Sequence, residues 1–341
     1  MTDAQIAAIN TAFGLANAQF AAPHAGYRNI SYAVKHEKQE YNLMIHKDEP
    51  GIVSQIKRTN SLGLALHQVG LPVRYPLDKR ILVLRMGKVH YALLYNYLPG
   101  ATIPWESFTM KHIKLLGWAM AHLHQAMAPL ATAGFPVVYD EYRSILMRMD
   151  AYFGNALIAE AISGKLSVQF DRSVISHQEQ FLAACDGLGS RQLLHMDLVR
   201  GNVLYDETSP RDLFKIDGIA LTGIIDFEKA AIGHPLFDIA RTLSFLLVDC
   251  STKSQKKIYS YFLNSGYTKR GRLLVKVLSV SLSDGTKCDV LEMAIDLFLL
   301  YDFYKFLRSN PYESLGDNYH YVRTRDLLIK RGIVLQASPP S

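Results

Sequence analysis

The apolar positions of this chain fall into two regimes that meet near residue 96. Ile6, Ile9, Phe13, Leu15 and Phe20 recur at broadly helical spacing and predict an amphipathic helix over residues 3–20. Residues 30–34 and 41–46 are short β-prone runs joined by a charged turn, the pattern of a hairpin. A helical pattern over 53–69 ends at Gly70-Leu71-Pro72, and two further strands, 80–86 and 90–95, flank Gly87-Lys88. One helix on a small antiparallel sheet therefore accounts for residues 1–95. Pro99 and Gly100 then break the periodicity, because proline removes a ladder donor and glycine permits a sharp change of direction. This places a boundary between a first lobe, 1–98, and a second, 99–336, with 337–341 as a frayed tail.

Beyond the boundary the pattern is mostly helical. Ile113, Leu116, Met120 and Leu123 share one side of a helix over 108–126, and residues 141–185 hold two more helical stretches. Two apolar, strand-like runs interrupt them between 193 and 232. Helical spacing resumes over 237–248, 254–263, 273–282 and 290–307. No internal repeat or low-complexity segment is present.

Composition narrows the class. In 341 residues, 49% are hydrophobic and 20% charged, which excludes disordered and collagen-like chains and supplies ample surface to bury. No apolar run approaches the length that spans a bilayer, and the first residues lack a basic, apolar leader pattern, so the expectation is a cytoplasmic protein without a membrane partner. Cys185, Cys250 and Cys288 are widely spaced and match no zinc pattern. The net charge of +6 is scattered, without the basic, aromatic-interleaved blocks of a nucleic-acid binder, and suits a polyphosphate partner equally well.

The chemistry concentrates between Leu193 and Asp238. Asp197 and Asn202 lie five apart on a loop braced by apolar residues, and Asp226 ends a second β-rich run. Three oxygen-bearing side chains can thereby converge on one hard cation, as phosphoryl transfer requires. Asp197 is the candidate base for a substrate hydroxyl or amine; Asn202 and Asp226 are candidate magnesium ligands. Glu228 serves a second ion or points to solvent. His195 braces the loop, and Arg200 either neutralises the transferring phosphoryl group or makes a surface ion pair. Residues 26–29, ending in Asn29, form either an ordinary turn or a loop offering amides to a phosphate.

His195-x-Asp197-x4-Asn202, Ile225-Asp226-Phe227-Glu228 and Gly233-x-Pro235-x2-Asp238-Ile239-Ala240 together resemble the aminoglycoside phosphotransferase and choline kinase superfamily, which shares the protein-kinase-like fold. The resemblance implies an α+β, two-lobed architecture with a small antiparallel-sheet N-lobe and a mainly helical C-lobe. It implies a kinase of a small hydroxyl- or amine-bearing molecule that uses Mg2+ with ATP or GTP. It further implies a nucleobase against the backbone of Asn96, Tyr97 and Leu98 with Leu204 beneath, and Asp238 as a buried brace of the catalytic loop. Asp226 is followed by Phe227-Glu228 rather than by Phe-Gly, and no activation segment is evident, which argues against a protein kinase.

Two departures from that pattern stand out. The third-strand cation expected to hold the α- and β-phosphates aligns with Met44, and the helix that should carry its acidic partner has Gln55 or Thr59 instead. Losing both avoids leaving one charge buried and unpaired, and implies another way of holding phosphate, with Lys35, Lys47, Lys57 or Arg58 as candidates. It also motivates an alternative, an inactive nucleotide-binding scaffold. Glu292 and Asp296, four apart on a strongly apolar helix, are either an exposed stripe or contacts for the acceptor.

Overall fold

The computed structural model describes residues 1–25, 29–189, 191–207 and 214–336. The Gly26-Tyr27-Arg28 part of the expected turn and the expected tail 337–341 lie outside the described residues.

The first helix is α1 (Asp3–Phe13), shorter than its apolar spacing predicts. Thr2 and Gln5 form a capping box at its start, and Gly14 at φ 68° ends it by donating to Asn10. Phe20 then belongs to a strand, not to the helix. The sheet consists of β1 (Gln19–Phe20), β2 (His24–Ala25), β3 (Ile30–His36), β4 (Gln39–Lys47), β5 (Leu82–Met86) and β6 (Lys88–Asn96), with α2 (Ile52–Gln68) between β4 and β5. It is antiparallel in the order β1-β3-β4-β6-β5, with β2 also on β3. Strand alternation divides its side chains. Tyr32, Val34, Leu43, Ile45, Ala92 and Leu94 pack with Ile9 and Leu15 on the α1 face, whereas Met44, Leu93 and Tyr95 pack with Ile52 and Ile56 of α2 on the other. The second face also overlooks the second lobe.

The lobes are joined by short backbone ladders. Arg74 donates to Ile224 and Ile224 to Pro72, at 3.1 and 2.8 Å, while just past the boundary, within the second lobe, Ala101 and Tyr205 exchange bonds of 3.0 and 2.9 Å. Gly100 at φ +100° is required there, since a Cβ would stand 2.5 Å from Thr222 Oγ1 and 2.6 Å from the Tyr205 carbonyl.

The second lobe runs through α3 (Met110–Met127), α4 (Val138–Phe153), α5 (Ala156–Leu166), β7 (Val168–Phe170) and α6 (Ser173–Cys185), so three helices occupy the stretch expected to hold two. Next come β8 (Gln192–Leu194), β9 (Val203–Asp206), β10 (Lys215–Ile216), β11 (Ile219–Ile224) and β12 (Ala231–Gly233). β9, β11 and β10 form one small antiparallel sheet and β8 pairs with β12. α7 (Pro235–Asp249), with proline in its first turn and His234 as cap, and α9 (Val290–Ser309), capped by Asp289, pack together at the centre of the main core. Between them lie α8 (Gln255–Tyr259), a π-helical stretch at Ser260–Thr268, and a hairpin of β13 (Ser279–Ser281) and β14 (Lys287–Asp289). The helix expected over 273–282 is not formed. Its valines suit extended chain, and Gly285 at φ 84° makes the turn that pairs β13 with β14. After α9 the chain closes with α10 (Tyr312–Leu315), α11 (Tyr319–Lys330) and β15 (Val334–Gln336), the last paired to β7. Among the described residues no helix is long and apolar enough to cross a membrane.

Candidate active site

Two residues of the site loops sit on unusual backbone. Asp226 has φ 65°, and Met196, immediately before Asp197, has φ 60°. Left-handed non-glycine residues cost on the order of 1–3 kcal/mol each and persist only where surrounding contacts hold them. For Met196 the holding group is Asp238. Its carboxylate, 1% exposed, accepts the backbone N–H of His195 at 2.8 Å and of Met196 at 2.9 Å, and lies 3.1 Å from His124 Nε2. Burial alone would raise the Asp238 pKa, but hydrogen bonding and charge from His124, followed by the charge and backbone N–H of His195, hold it below the usual carboxylate range. His195 is itself fully buried, with its ring on Phe227 and its Nδ1 accepting from Asp197 N at 3.3 Å. Its Nδ1 contact falls on the loop itself.

Asp197 thereby presents its carboxylate at the lobe junction. Asn202 Nδ2 donates to the Asp197 carbonyl at 2.9 Å and to Oδ2 at 3.2 Å, and Lys229 Nζ is 3.0 Å from Oδ1. Ile225 N donates to the Asn202 carbonyl at 2.9 Å, fastening the Asp226 loop to the Asp197 loop. With its amide nitrogen engaged, Asn202 has Oδ1 as the atom to offer a cation. Asp226 accepts from Glu228 N on Oδ1 at 3.2 Å. Among the described residues no three His, Cys, Asp or Glu side chains form a metal cage. One carboxylate plus one amide oxygen is nevertheless the donor set of a magnesium that is shared with substrate phosphates, so Asp226 and Asn202 fit the ion.

Glu228, expected at a second ion or in solvent, faces the first lobe instead. Its Oε1 accepts from Asn29 Nδ2 at 2.6 Å and lies 3.8 Å from His46 Nδ1, and its carbonyl accepts from Gln55 at 3.4 Å. A neutral Gln55 thus links α2 to the metal loop where an ion pair was absent from the sequence, while Thr59 bonds only to its own helix. Asn29, expected beside phosphate, is engaged with Glu228. His46 is 5% exposed and its pKa is lowered to about 4, by burial first and then by the charge of Arg74.

The hinge packs on the small sheet of the second lobe. Leu98 and Leu204 both pack on Gly223, where a Cβ would meet their side chains at 3.0 and 2.9 Å. The Asn96 side chain braces residues 73–75, accepting from Tyr75 N at 2.7 Å and donating to the Val73 carbonyl at 3.2 Å. Asn42, paired in register with Tyr95, keeps a buried Oδ1 without a hydrogen-bond partner among the described residues.

Arg200 turns away from the reacting region, donating to Asp249 Oδ2 at 3.0 Å and to the Ile103 carbonyl at 3.4 Å. It borders a cavity of about 300 Å³ with Asp249, Phe245, Asp302, Lys305 and His320, directly behind the Asp197 loop. Asp302 is held by the buried Arg241 at 2.7 and 3.1 Å; burial opposes that guanidinium's charge, but Asp302 overcomes it and keeps Arg241 protonated. Lys305 has no ion-pair partner among the described residues. By contrast Glu292 and Asp296 both pair with Arg331 and do not line this cavity. The roles of Lys229, Arg241 and Lys305 left no motif in the sequence; only Lys229's position after Asp226-Phe227-Glu228 hinted at one.

The fold has counterparts among solved structures. An amicoumacin kinase in complex with AMP-PNP and Ca2+ matches 99% of this chain and 96% of its own at TM-score 0.64 and 16% identity. A microcompartment-associated aminopropanol kinase matches at TM-score 0.63 and 18% identity, covering 96% and 97%. The GDP complex of an aminoglycoside 2'-phosphotransferase matches at TM-score 0.58 and 17% identity, covering 95% and 98%. These likenesses show the two-lobed protein-kinase-like fold. In sequence, the homoserine kinase of Pseudomonas aeruginosa PAO1 is 28% identical over 225 residues, 64% of this chain and 62% of the relative, so the match spans less than two thirds of that protein. Residues 20–263, which hold the hinge, the Asp197 and Asp226 loops and the Asp238 brace, match the model of the phosphotransferase enzyme family, and the chain belongs to that family of small-molecule kinases.

Proposed function

We propose that this chain transfers the γ-phosphoryl group of ATP or GTP to the hydroxyl of a small hydroxy amino acid, a homoserine-like acceptor. The observation that carries the proposal is the cavity of about 300 Å³ behind the Asp197 loop, lined by charges of both signs. It lies at the small end of ligand pockets, which favours a metabolite over an oligosaccharide antibiotic. Lys305 offers an ammonium without a carboxylate partner among the described residues, suited to the acceptor's carboxylate, and Asp249 an acid suited to its amine. The homoserine kinase relative supports the same class.

In this mechanism the nucleobase lies against the hinge backbone of Asn96, Tyr97 and Leu98, with Leu204 beneath it. Magnesium held by Asp226 and Asn202 would neutralise charge on the β- and γ-phosphates. Asp197 orients the acceptor hydroxyl and takes its proton as the new O–P bond forms and the bond from the γ-phosphorus to the β-phosphate oxygen breaks, releasing the nucleoside diphosphate. Lys229, 3.0 Å from the base, stabilises charge on the transferring group. Arg200 shapes the acceptor wall through Asp249. None of the relatives or neighbours named above is an inactive scaffold, so nothing favours that alternative.

The test is turnover with ATP or GTP and magnesium over a panel of homoserine, other hydroxy amino acids, amino alcohols and aminoglycosides. A higher kcat/KM for hydroxy amino acids is expected. Asp197→Asn should lower kcat by roughly 10²–10⁴-fold with nucleotide affinity retained. Preference for aminoglycosides would overturn the acceptor class, and full turnover in Asp197→Asn would remove Asp197 as the base.

A further inference from the structure

The cation that should meet the α- and β-phosphates is missing from its strand. Met44 is buried against Ile52, Ile56, Leu93 and Tyr95, a wholly apolar or neutral set. The four cations that sequence offers in its place do not stand behind the nucleotide. Lys47 and Lys57 are exposed, Arg58 lies over the ring of Phe135 at 5.2 Å, and Lys35 sits beside Tyr97 at the hinge end.

Another cation reaches the region from a different segment. Arg74 lies on the chain that returns from α2, and its backbone N–H donates to Ile224, two residues before Asp226, at 3.1 Å. Asn96 pins the next residue, Tyr75, whose N–H donates to Asn96 Oδ1 at 2.7 Å, so the side chain of Arg74 is launched from a fixed point between the lobes. Its guanidinium lies over the ring of Tyr95, 5.6 Å from the centroid, on the sheet face that carries Met44. It is half-buried, yet among the described residues it makes no ion pair and no side-chain hydrogen bond. Its charge is close enough to bear on His46, two residues beyond Met44 on the same face. His46 is 5% exposed; among the described residues neither ring nitrogen has a hydrogen-bond partner, and the Glu228 carboxylate stands 3.8 Å from Nδ1, beyond hydrogen-bond reach. Buried polar groups without a hydrogen bond are the exception in folded proteins, and this one, with the charges of both Arg74 and Asp226 bearing on its ring, marks a place where a guanidinium and an imidazole can meet an anion.

We propose that Arg74, with His46 as a second donor, forms the subsite that holds the α- and β-phosphates of the nucleotide, in place of the lysine absent at position 44. The guanidinium enters from the loop after α2, so the acidic partner on that helix is not needed, and Gln55 is free to fasten α2 to the carbonyl of Glu228. A bidentate guanidinium suits a bridging pair of phosphates better than a point charge does. The proposal rests on the phosphotransferase reading above.

The experiment is calorimetric binding of ADP and GDP, with adenosine and guanosine as phosphate-free controls, to wild type, Arg74→Ala, Arg74→Lys and the double variant Arg74→Ala with Met44→Lys. Arg74→Ala should weaken diphosphate binding by roughly 10–100-fold and leave nucleoside binding unchanged, as for loss of a charge-assisted hydrogen bond. Arg74→Lys should lose less, and Met44→Lys should restore part of the loss. In parallel, phenylglyoxal modification of Arg74 in the wild-type protein, followed by mass spectrometry, needs no folded variant. Protection by the diphosphate and not by the nucleoside is expected. Unchanged diphosphate affinity in a natively folded Arg74→Ala, or equal loss of diphosphate and nucleoside, would overturn the proposal. So would equal protection by the two. If wild type binds no nucleotide and transfers no phosphoryl group, the phosphotransferase reading itself fails; if it turns over while Arg74 proves indifferent, only the subsite does.

Discussion

Replacing Asp238 should damage both stability and catalysis, and the damage can be worked from its contacts. Asp238→Ala removes an acceptor shared by the His195 and Met196 backbone N–H groups and by His124 Nε2, all buried. An unsatisfied buried donor costs about 1–3 kcal/mol, so the two backbone groups alone amount to roughly 2–6 kcal/mol. That is a large part of the 5–15 kcal/mol, roughly, by which domains are stable. Met196 also loses the bond that keeps it at φ 60°, and its relaxation displaces Asp197, where a shift of about 1 Å costs on the order of 10²-fold in rate. Urea unfolding with linear extrapolation gives the first quantity and kcat with saturating nucleotide the second. Asp238→Asn, which keeps one acceptor oxygen, should fall between wild type and alanine. The pH dependence has a definite direction. The folded pKa of Asp238 is below its unfolded value of about 3.9, so its contribution is complete above that pH and is lost as pH falls through the folded value. Wild type should therefore lose stability in acid more steeply than Asp238→Ala, and the two should converge. An alanine variant within about 0.5 kcal/mol of wild type at neutral pH, a size typical of an uninvolved surface change, would refute the brace.

Gly100→Ala should lower the thermal midpoint by several degrees, consistent with a loss of about 2 kcal/mol, because both its φ of +100° and the 2.5 Å approach to Thr222 exclude a side chain; an unchanged midpoint would show that the hinge is not held this way. Arg331→Ala should destabilise by at most about 3 kcal/mol at pH 8, since it strands the partly buried acids Asp296 and Glu292. Burial raises the Asp296 pKa to about 6 even with Arg331 present, and losing Arg331 raises it further, so the variant protonates first and the deficit should shrink as pH falls from 8 towards 6; a deficit that grows over that range would contradict the assignment.

The parts of this molecule legible in the sequence are those in which local pattern and chemistry coincide. Strand alternation fixed which residues of β4 and β6 face each other, and Asp197, Asn202 and Asp226 lie on short loops whose flanking apolar runs could only be strands. The misread segments are those that tertiary pairing decides. Leu273 to Leu282 has enough apolar residues for a helix face, but the Gly285 turn makes pairing with β14 available, and the valines follow it. Glu292 and Asp296 have the spacing of a ligand pair, yet their partner, Arg331, lies 35 residues and more away and leaves no local trace. Phosphate holding illustrates the same limit more sharply. Alignment by strand register can report that Met44 is not a cation, because register is local. It cannot nominate Arg74, whose relation to Tyr95 and His46 exists only because Val73 pairs with Ile224 and Pro76 with Tyr95. The chemistry that phosphoryl transfer demands is a charge at a point in space, and a fold with several segments crossing that point can supply it from any of them. The search for a missing functional group therefore belongs among all segments that reach the point, and here the segment that binds the backbone beside Asp226 carries a guanidinium with no ion pair among the described residues.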